Sequence, residues 1–376
     1  MNIKNDLKFF ISTVLLISII IAFPIGCNSS GSNGDGIEIA VNYNMRNVKP
    51  FEKSNYRVDY EILPLQLPLY ERIKIYLNNI EVFEEYIFVS TLRGPLMIFD
   101  NSGAFIRKIP VGEEIDELSG LLDFMVNREE KKIEVLDKYK ISEFNLVGRY
   151  LKSRNNEGIY AVEYGISGEN RVLLRQKNSL SNYSFTIQPQ EQDFEWKTGQ
   201  TKVNSINPKH FHTYQNSLYF TGYSNKVYKL SPRETIPQTF AYVRNMNTDH
   251  TVKDIDMARY EVLCEQKRHF TYINNFFVYN NNLLGFTLFQ GAEGFKILFD
   301  IESNNYYSHP LTNVPYSQNN RWVEDGTEYY LFPSNKFDEE SAEKIKNIAP
   351  DLFKAMDNAS QVHKMWLIKA KYSRKE

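Results

Sequence analysis

Tyr86–Ile109 reads YIFVSTLRGPLMIFDNSGAFIRKI, and Asp123–Leu151 reads DFMVNREEKKIEVLDKYKISEFNLVGRYL. The two stretches are the same sentence written twice. Each has an apolar run, a polar turn, a second apolar run ending in Asp, another turn, and a third strand-like stretch. In the first copy the pieces are Tyr86–Ser90, Leu96–Asp100 and Ala104–Ile109. In the second they are Asp123–Val126, Ile133–Asp137 and Ile141–Phe144, with Arg149–Leu151 behind. Hairpin-plus-strand units repeating at a period of about 40 residues predict the blades of a β-propeller.

The pattern continues outward from these copies. Arg57–Leu67 and Arg72–Phe83 alternate as strands do. Gly158–Val162, Arg171–Arg175 and Tyr183–Ile187 make a third unit. Phe211–Tyr214, Leu218–Gly222, Lys226–Leu230 and Gln238–Val243 make a fourth, with the turn residues Gln215-Asn216-Ser217 and Ser224-Asn225 between strands. A fifth runs from Phe270 through Phe276–Tyr279 and Leu283–Phe289 to Gly294–Asp300. A sixth holds Asn320–Glu324, Glu328–Phe332 and the terminal Lys364–Lys371. Met365-Trp366-Leu367-Ile368 is strongly apolar although it lies close to a charged terminus, so it must be paired and covered. The economical arrangement pairs Lys364–Lys371 in one sheet with an N-terminal strand, or with the Trp322–Phe332 hairpin completed by Arg57–Leu67 or Arg72–Phe83. Two stretches interrupt the rhythm as helical insertions, Asp249–Arg268 and Asp338–Asn358, the second broken before Pro350. The fold class is therefore all-β, a six-bladed β-propeller with short helical insertions.

Composition agrees. Phe and Tyr number 25 each and aromatics reach 14% of 376 residues, which suits strands. A formal net charge of −2 with mixed signs provides no basic stripe and argues against a nucleic-acid partner.

The first stretch stands apart from the fold. Lys4 and Lys8 precede an almost wholly apolar Phe9–Phe23, followed by Pro24-Ile25-Gly26-Cys27. The run suits the core of a signal peptide and is short for a membrane-spanning helix. Small Gly26 before Cys27 matches a bacterial lipobox, in which the cysteine thiol takes a diacylglycerol before cleavage; Pro24 stands where Leu is usual. Residues 1–26 are thus expected as a cleaved lipoprotein signal peptide. Residues 27–55 are expected as a lipidated tether, beginning with the linker-like Asn28–Gly36, and 56–376 as the propeller. Ile37–Pro50 is ambiguous, reading either as disordered chain or as a strand lying along the outside. With Cys27 acylated, Cys264 has no disulfide partner in the chain and reads as a small buried hydrophobe.

The unit at Met97–Ile109, an apolar pair ending in Asp, then Ser-Gly, then Phe-Ile-Arg-Lys-Ile, resembles the six-bladed β-propeller lipoproteins of Bacteroidetes, whose blades are related to NHL repeats. The likeness extends over most of Tyr56–Tyr372 and includes Asp123-Phe124-Met125-Val126 opening the second blade. The family often shows a Gly-Pro-Gly-Glu-like turn; here Val111-Gly112-Glu113-Glu114 keeps only the leading glycine and an acid. The resemblance implies a lipid-anchored protein of the cell envelope, at the outer membrane, on either its periplasmic or its surface side.

Chemistry-bearing residues are few. His210 and His212 share a strand face at i, i+2 and could grip a metal, but no third ligand is nearby, and surface or packing roles are preferred. Asp249, His250, Asp254 and Asp256 lack the spacing and glycine of an EF-hand and read as the solvated start of a helix. Asp100, Asp137 and Asp300 close equivalent strands and read as turn caps. No nucleophile elbow, zinc-protease motif or phosphate loop occurs. No catalytic, cofactor-binding or metal residue is therefore assigned, and Cys27 alone is assigned, as the lipidation site. The function expected is a monomeric, membrane-anchored, non-catalytic binding or scaffold module for a glycan, peptide or protein. The alternative is an envelope hydrolase or lyase using carboxylates at the channel mouth.

Overall fold

The computed structural model describes residues 36–41, 48–68, 77–91, 94–112, 117–118, 120–137, 140–155, 161–177, 182–188, 192–196, 210–221, 226–245, 273–290, 293–311, 321–333, 339–358 and 365–375. Gly36–Glu376 forms one compact unit. Its described strands fall into six sheets. Two strands precede the first complete blade, β1 (Ile37–Val41) and β2 (Tyr56–Pro64). Blade 1 is β3 (Leu77–Phe83), β4 (Tyr86–Thr91), β5 (Leu96–Asp100) and β6 (Phe105–Ile109). Blade 2 is β7 (Leu121–Asn127), β8 (Lys132–Asp137), β9 (Lys140–Asn145) and β10 (Tyr150–Asn155). Blade 3 is β11 (Ala161–Ser167), β12 (Asn170–Lys177), β13 (Asn182–Gln188) and β14 (Gln192–Trp196). Blade 4 is β15 (Phe211–Tyr214), β16 (Ser217–Thr221), β17 (Lys226–Leu230) and β18 (Gln238–Asn245). Blade 5 is β19 (Ile273–Asn280), β20 (Leu283–Gln290), β21 (Glu293–Asp300) and β22 (Asn305–Ser308). Blade 6 takes β23 (Arg321–Glu324), β24 (Thr327–Pro333) and β25 (Met365–Arg374), and is completed by β2. The first strand of each blade touches the first strand of the next, and β23 touches β3, which closes the ring.

The packing explains why middle strands are apolar on both faces. Along β5, Met97 and Phe99 pack with Trp322, Leu331 and Leu367 of blade 6. Leu96 and Ile98, pointing the other way, pack with Phe124, Val126 and Val135 of blade 2. A sheet covered on both sides has no solvent face to keep polar, so strict alternation disappears from its middle strands. All six residues of β8 and all five of β16 are buried.

Closure follows the pattern expected from the chain ends. β25 pairs antiparallel with β2 over nine residues, from Tyr56 opposite Arg374 to Pro64 opposite Trp366. On its other side it pairs with β24, from Thr327 opposite Lys371 to Pro333 opposite Met365. Of the two N-terminal candidates, the one at Arg57–Leu67 closes the blade, while Leu77–Phe83 opens blade 1. The insertion between β24 and β25 holds two short helices, α1 (Glu339–Ile348) and α2 (Pro350–Asp357), broken at Ala349 and Pro350 as anticipated. Ile345, Leu352 and Met356 bury against the closing blade and the half-buried Val58, Tyr60 and Ile62 of β2. The insertion expected at Asp249–Arg268, with Asp249, His250, Asp254, Asp256 and Cys264, lies outside the described residues, as do Cys27 and Asp338.

The propeller begins earlier than residue 56. β1 lies parallel to β18, from Ile37 opposite Ala241 to Val41 opposite Asn245, and makes blade 4 five-stranded. Ile39 and Val41 are fully buried there, and the Tyr242 hydroxyl donates to Glu38 at 2.6 Å. Further on, Lys49 bridges to Tyr307 at the edge of blade 5, and buried Phe51 meets Tyr372 edge-on at 6.0 Å. A stretch expected to be tether therefore straps the rims of blades 4, 5 and 6, because its few apolar side chains find cover there. Full burial of a side chain such as Ile39 or Val41 contributes about 1.5–3 kcal/mol. Deleting everything up to Val41 should thus destabilise a refoldable propeller by about 3–6 kcal/mol in urea titrations. An unchanged unfolding midpoint would show the strap to be a passive overlay.

The strand-end aspartates behave as turn caps where the turn is described. Asp100 accepts from the Ser102 and Ala104 amides, both at 2.9 Å, and from the Ser102 hydroxyl at 2.6 Å. These bonds, led by the Ser102 hydroxyl, hold its carboxyl below the usual range. Asp300 accepts from the Glu302 amide at 3.2 Å and the Ser303 hydroxyl at 2.7 Å. The turn after Asp137 lies outside the described residues.

Candidate functional site

The axis of a propeller is lined by the open edges of its innermost strands, whose backbone groups have no further strand to pair with. Buried backbone donors must be satisfied from elsewhere. Here side chains of the innermost strands reach sideways to the next blade. Glu81 of β3 accepts from the Val126 amide of β7 at 3.1 Å. Asp123 of β7 accepts from the Tyr164 amide of β11 at 3.1 Å and from the Asn79 side-chain amide of β3 at 3.1 Å. Glu163 of β11 accepts from the His210 and Phe211 amides at 2.8 and 3.3 Å. Its second oxygen lies 2.7 Å from His210 Nδ1. From blade 1 to blade 4, each blade thus hands a carboxylate to the backbone of its successor.

The two histidines do not act together. His210 precedes β15 and turns back to Glu163 in blade 3. His212 turns forward, its Nε2 lying 3.4 Å from the Val278 carbonyl of blade 5 and its ring edge-on to Phe277 and Trp322 at 5.2 and 5.8 Å. Both are buried packing residues. Among the described residues no group of three His, Cys, Asp or Glu side chains could hold a metal ion.

At the end of the axis where the first two strands of each blade join, a clasp spans three blades. Arg128, just after β7, donates both terminal nitrogens to the two oxygens of Glu324 at the end of β23, at 2.5 and 2.6 Å. Its guanidinium lies 5.0 Å from the Phe83 ring centre and 5.7 Å from that of Trp322. The Trp322 Nε1 donates to Glu324 at 3.2 Å. Burial pushes the Glu324 carboxyl up, and the paired Arg128 only partly offsets it. Bidentate pairing with two aromatic faces is a geometry lysine cannot reproduce.

A second concentration of charge sits between blades 2 and 3. Glu134 of β8, fully buried, receives Arg171 of β12 at 2.6 and 3.2 Å and Asn127 at 3.0 Å. Lys132 joins Glu130 and Glu143, each at 2.7 Å. None of these groups was singled out from sequence. The usable sign was an acid inside an otherwise apolar innermost strand, in NIEVF, LLDFMV and AVEYGI, at matching positions of successive blades.

Residues 53–330 match the family described as DUF5128, a 6-bladed beta-propeller. The chain belongs to this family. Among solved structures, a Bacteroides fragilis protein described as a candidate exported protein is similar at 13% identity and a TM-score of 0.64, covering 90% of this chain and 99% of that one. A member of the DUF4221 family from Bacteroides vulgatus is similar at 10% identity with a TM-score of 0.45, covering 85% and 99%. The first likeness shows the shared fold, and the second carries no further weight. No curated protein matches the chain significantly.

Proposed function

We propose that this propeller is a non-catalytic binding module for a glycan, peptide or protein, held at the cell envelope by a diacylglycerol on Cys27. The observation that supports binding over hydrolysis or lysis is the employment of the axial carboxylates. Glu81, Asp123 and Glu163 accept backbone amides of the next blade, and Glu324 accepts the Arg128 fork. A general acid or a nucleophilic carboxylate needs an oxygen aimed at substrate. These oxygens are aimed at the ring itself. A protein of the same fold described as a candidate exported protein, together with the apolar run ending at Gly26-Cys27, supports the envelope address.

Anchoring is tested by membrane fractionation. Cys27→Ser should move the protein from the membrane fraction to the soluble one, or leave the signal uncleaved; lipid labelling that persists in the variant contradicts the anchor. Binding is tested with the soluble propeller on arrays of bacterial and host polysaccharides and on peptidoglycan fragments. Saturable retention of an unaltered ligand is expected. Mass-spectrometric detection of cleaved ligand, abolished in a folded Glu163→Gln variant, would establish the hydrolase or lyase reading instead.

A further inference from the structure

Four of the six blades have their outer edge occupied by the segment that precedes blade 1. β1 pairs with β18 of blade 4, Lys49 bridges Tyr307 of blade 5, β2 is itself the outer strand of blade 6, and Gln66 bridges Ala104 at the start of β6 in blade 1. The pairings on blades 4, 5 and 1 are parallel. β10 of blade 2 differs. It ends its sheet, and among the described residues no strand or bridge pairs with its outer edge. Leu151–Asn155 are all exposed, and Lys152–Asn155 run in regular register against Glu143–Lys140. A regular, exposed and unpaired edge is a template for another strand.

The wall around this edge is basic. β10 reads YLKSRN and β6 reads FIRKI, with Arg149 in the turn before β10 and no acid in either strand. Arg107 and Arg149 are exposed. They belong to one surface, because a Cβ on Gly148 would stand 3.5 Å from the Arg107 Cδ. Lys152 and Arg154 keep 68% and 46% of their side chains exposed. They lie 3.7 and 3.5 Å from the buried Glu143 and Glu134, acids already held by Lys132 and Arg171 at 2.7 and 2.6 Å. Positive charge therefore remains facing outward, in a chain whose formal net charge is −2.

We propose that β10 is a docking edge for an extended acidic segment of a partner polypeptide, which adds to blade 2 as a fifth strand in the way that β1 adds to blade 4. This rests on the binding reading above and narrows it to a polypeptide; a glycan bound elsewhere on the ring would leave that reading standing while this one fails. In strand addition the backbone ladder supplies affinity and the alternate side chains select the partner. The five residues of β1 show the length of strand such an edge takes up. Charge decides the occupant. A second copy docking edge to edge would set Lys152 and Arg154 against the same cations, and like charges directly opposite each other are destabilising. An acidic strand reverses that sign. The outer strand of blade 3, β14, reads QDFEW and lacks the complementary bases.

The probe is a synthetic peptide alternating Val and Glu, offered to the full chain at low salt. Saturable binding is expected. The β10 amides should gain at least about tenfold protection in hydrogen exchange, while those of β18, already covered by β1, stay unchanged. The same peptide N-methylated at alternate amides keeps its charge but cannot complete a ladder, and should bind at least about tenfold more weakly. Arg149→Glu leaves the ion pairs of Lys152 and Arg154 in place and should weaken the parent peptide about threefold or more. Equal binding of the methylated peptide by the wild-type chain would overturn the proposal, whether or not the variant folds. So would protection outside β10, or no peptide binding at all. Retention on anionic phospholipid vesicles without peptide binding would assign the wall to a membrane surface instead, and dimerisation that protects β10 would assign it to a second copy.

Discussion

Truncation after His363 is expected to abolish folding of the whole toroid, with loss of its cooperative unfolding transition. The deleted β25 carries Met365, Trp366, Leu367, Ile368, Ala370 and Tyr372, all buried at 4% exposure or less. At about 1.5–3 kcal/mol for each large side chain, their burial rivals the whole stability of a typical domain, about 5–15 kcal/mol. The loss is also topological. Without β25, β2 has no neighbour in its sheet, and β24 exposes a hydrophobic edge. Circular dichroism and thermal melting of the truncated chain check this. A truncated protein melting with the full-length one would mean that blade 6 closes by some other pairing.

The second large effect is expected at Glu134. Removing one partner of a buried ion pair leaves the other charge uncompensated and costs about 3–5 kcal/mol. Glu134→Ala leaves Arg171, whose side chain is 9% exposed, with only the more distant and exposed Glu130 at 3.8 Å as counter-charge, and loosens Lys132 as well. Replacing both partners in Glu134→Met/Arg171→Met should recover most of that loss, since a packed apolar pair of similar volume serves as well as a buried ion pair. The pair also sets an acid limit. Burial pushes the Glu134 carboxyl up, but the bonds and charge of Arg171, with Asn127 and Lys132, outweigh burial and leave it below its usual value. A depressed carboxyl contributes stability that is fully present above the unfolded value, about pH 4.3. That contribution is lost as pH falls through the folded value. Denaturant midpoints between pH 5 and 3 should therefore drop less steeply in the double variant than in the wild type. Equal slopes would assign the acid sensitivity elsewhere.

How much of this was legible in the sequence depended on whether an interaction repeats locally. Blades 1 and 2 could be read from Tyr86–Ile109 and Asp123–Leu151 because hairpins encode themselves in turn residues and apolar runs. Asp100 and Asp300 were legible as caps for the same reason, their partners lying two to four residues ahead. Closure was legible because an apolar Met365–Ile368 beside a charged terminus demands cover. The strap was legible only as an ambiguity. Ile37–Val41 is too short to announce a buried strand, and its partner lies some 200 residues away. The outermost strands β14 and β22 were missed because rim strands carry few apolar residues to mark them. The axial carboxylates were missed for a different reason. Glu81, Asp123 and Glu163 are each bonded to a blade about 45 residues further on, so no local window contains both partners. The buried contacts of Glu328 between blades 5 and 6 are the extreme case, assembling Tyr279, His309, Glu328 and Tyr372 from separate strands and a connecting segment.

The central claim is that the two ends of the chain share one blade and thereby close a six-bladed ring. Glu61 and Lys369 stand directly opposite each other in the β2–β25 pair, on the exposed face, with an ion pair of 3.0 Å between them. Directly paired antiparallel positions lie within the span a disulfide tolerates. In a background lacking Cys27 and Cys264, Glu61→Cys/Lys369→Cys should oxidise quantitatively to an intramolecular disulfide. The product should be a monomer that melts higher and reverts on reduction. Free thiols after oxidation, or only cross-linked dimers, would contradict the closed ring.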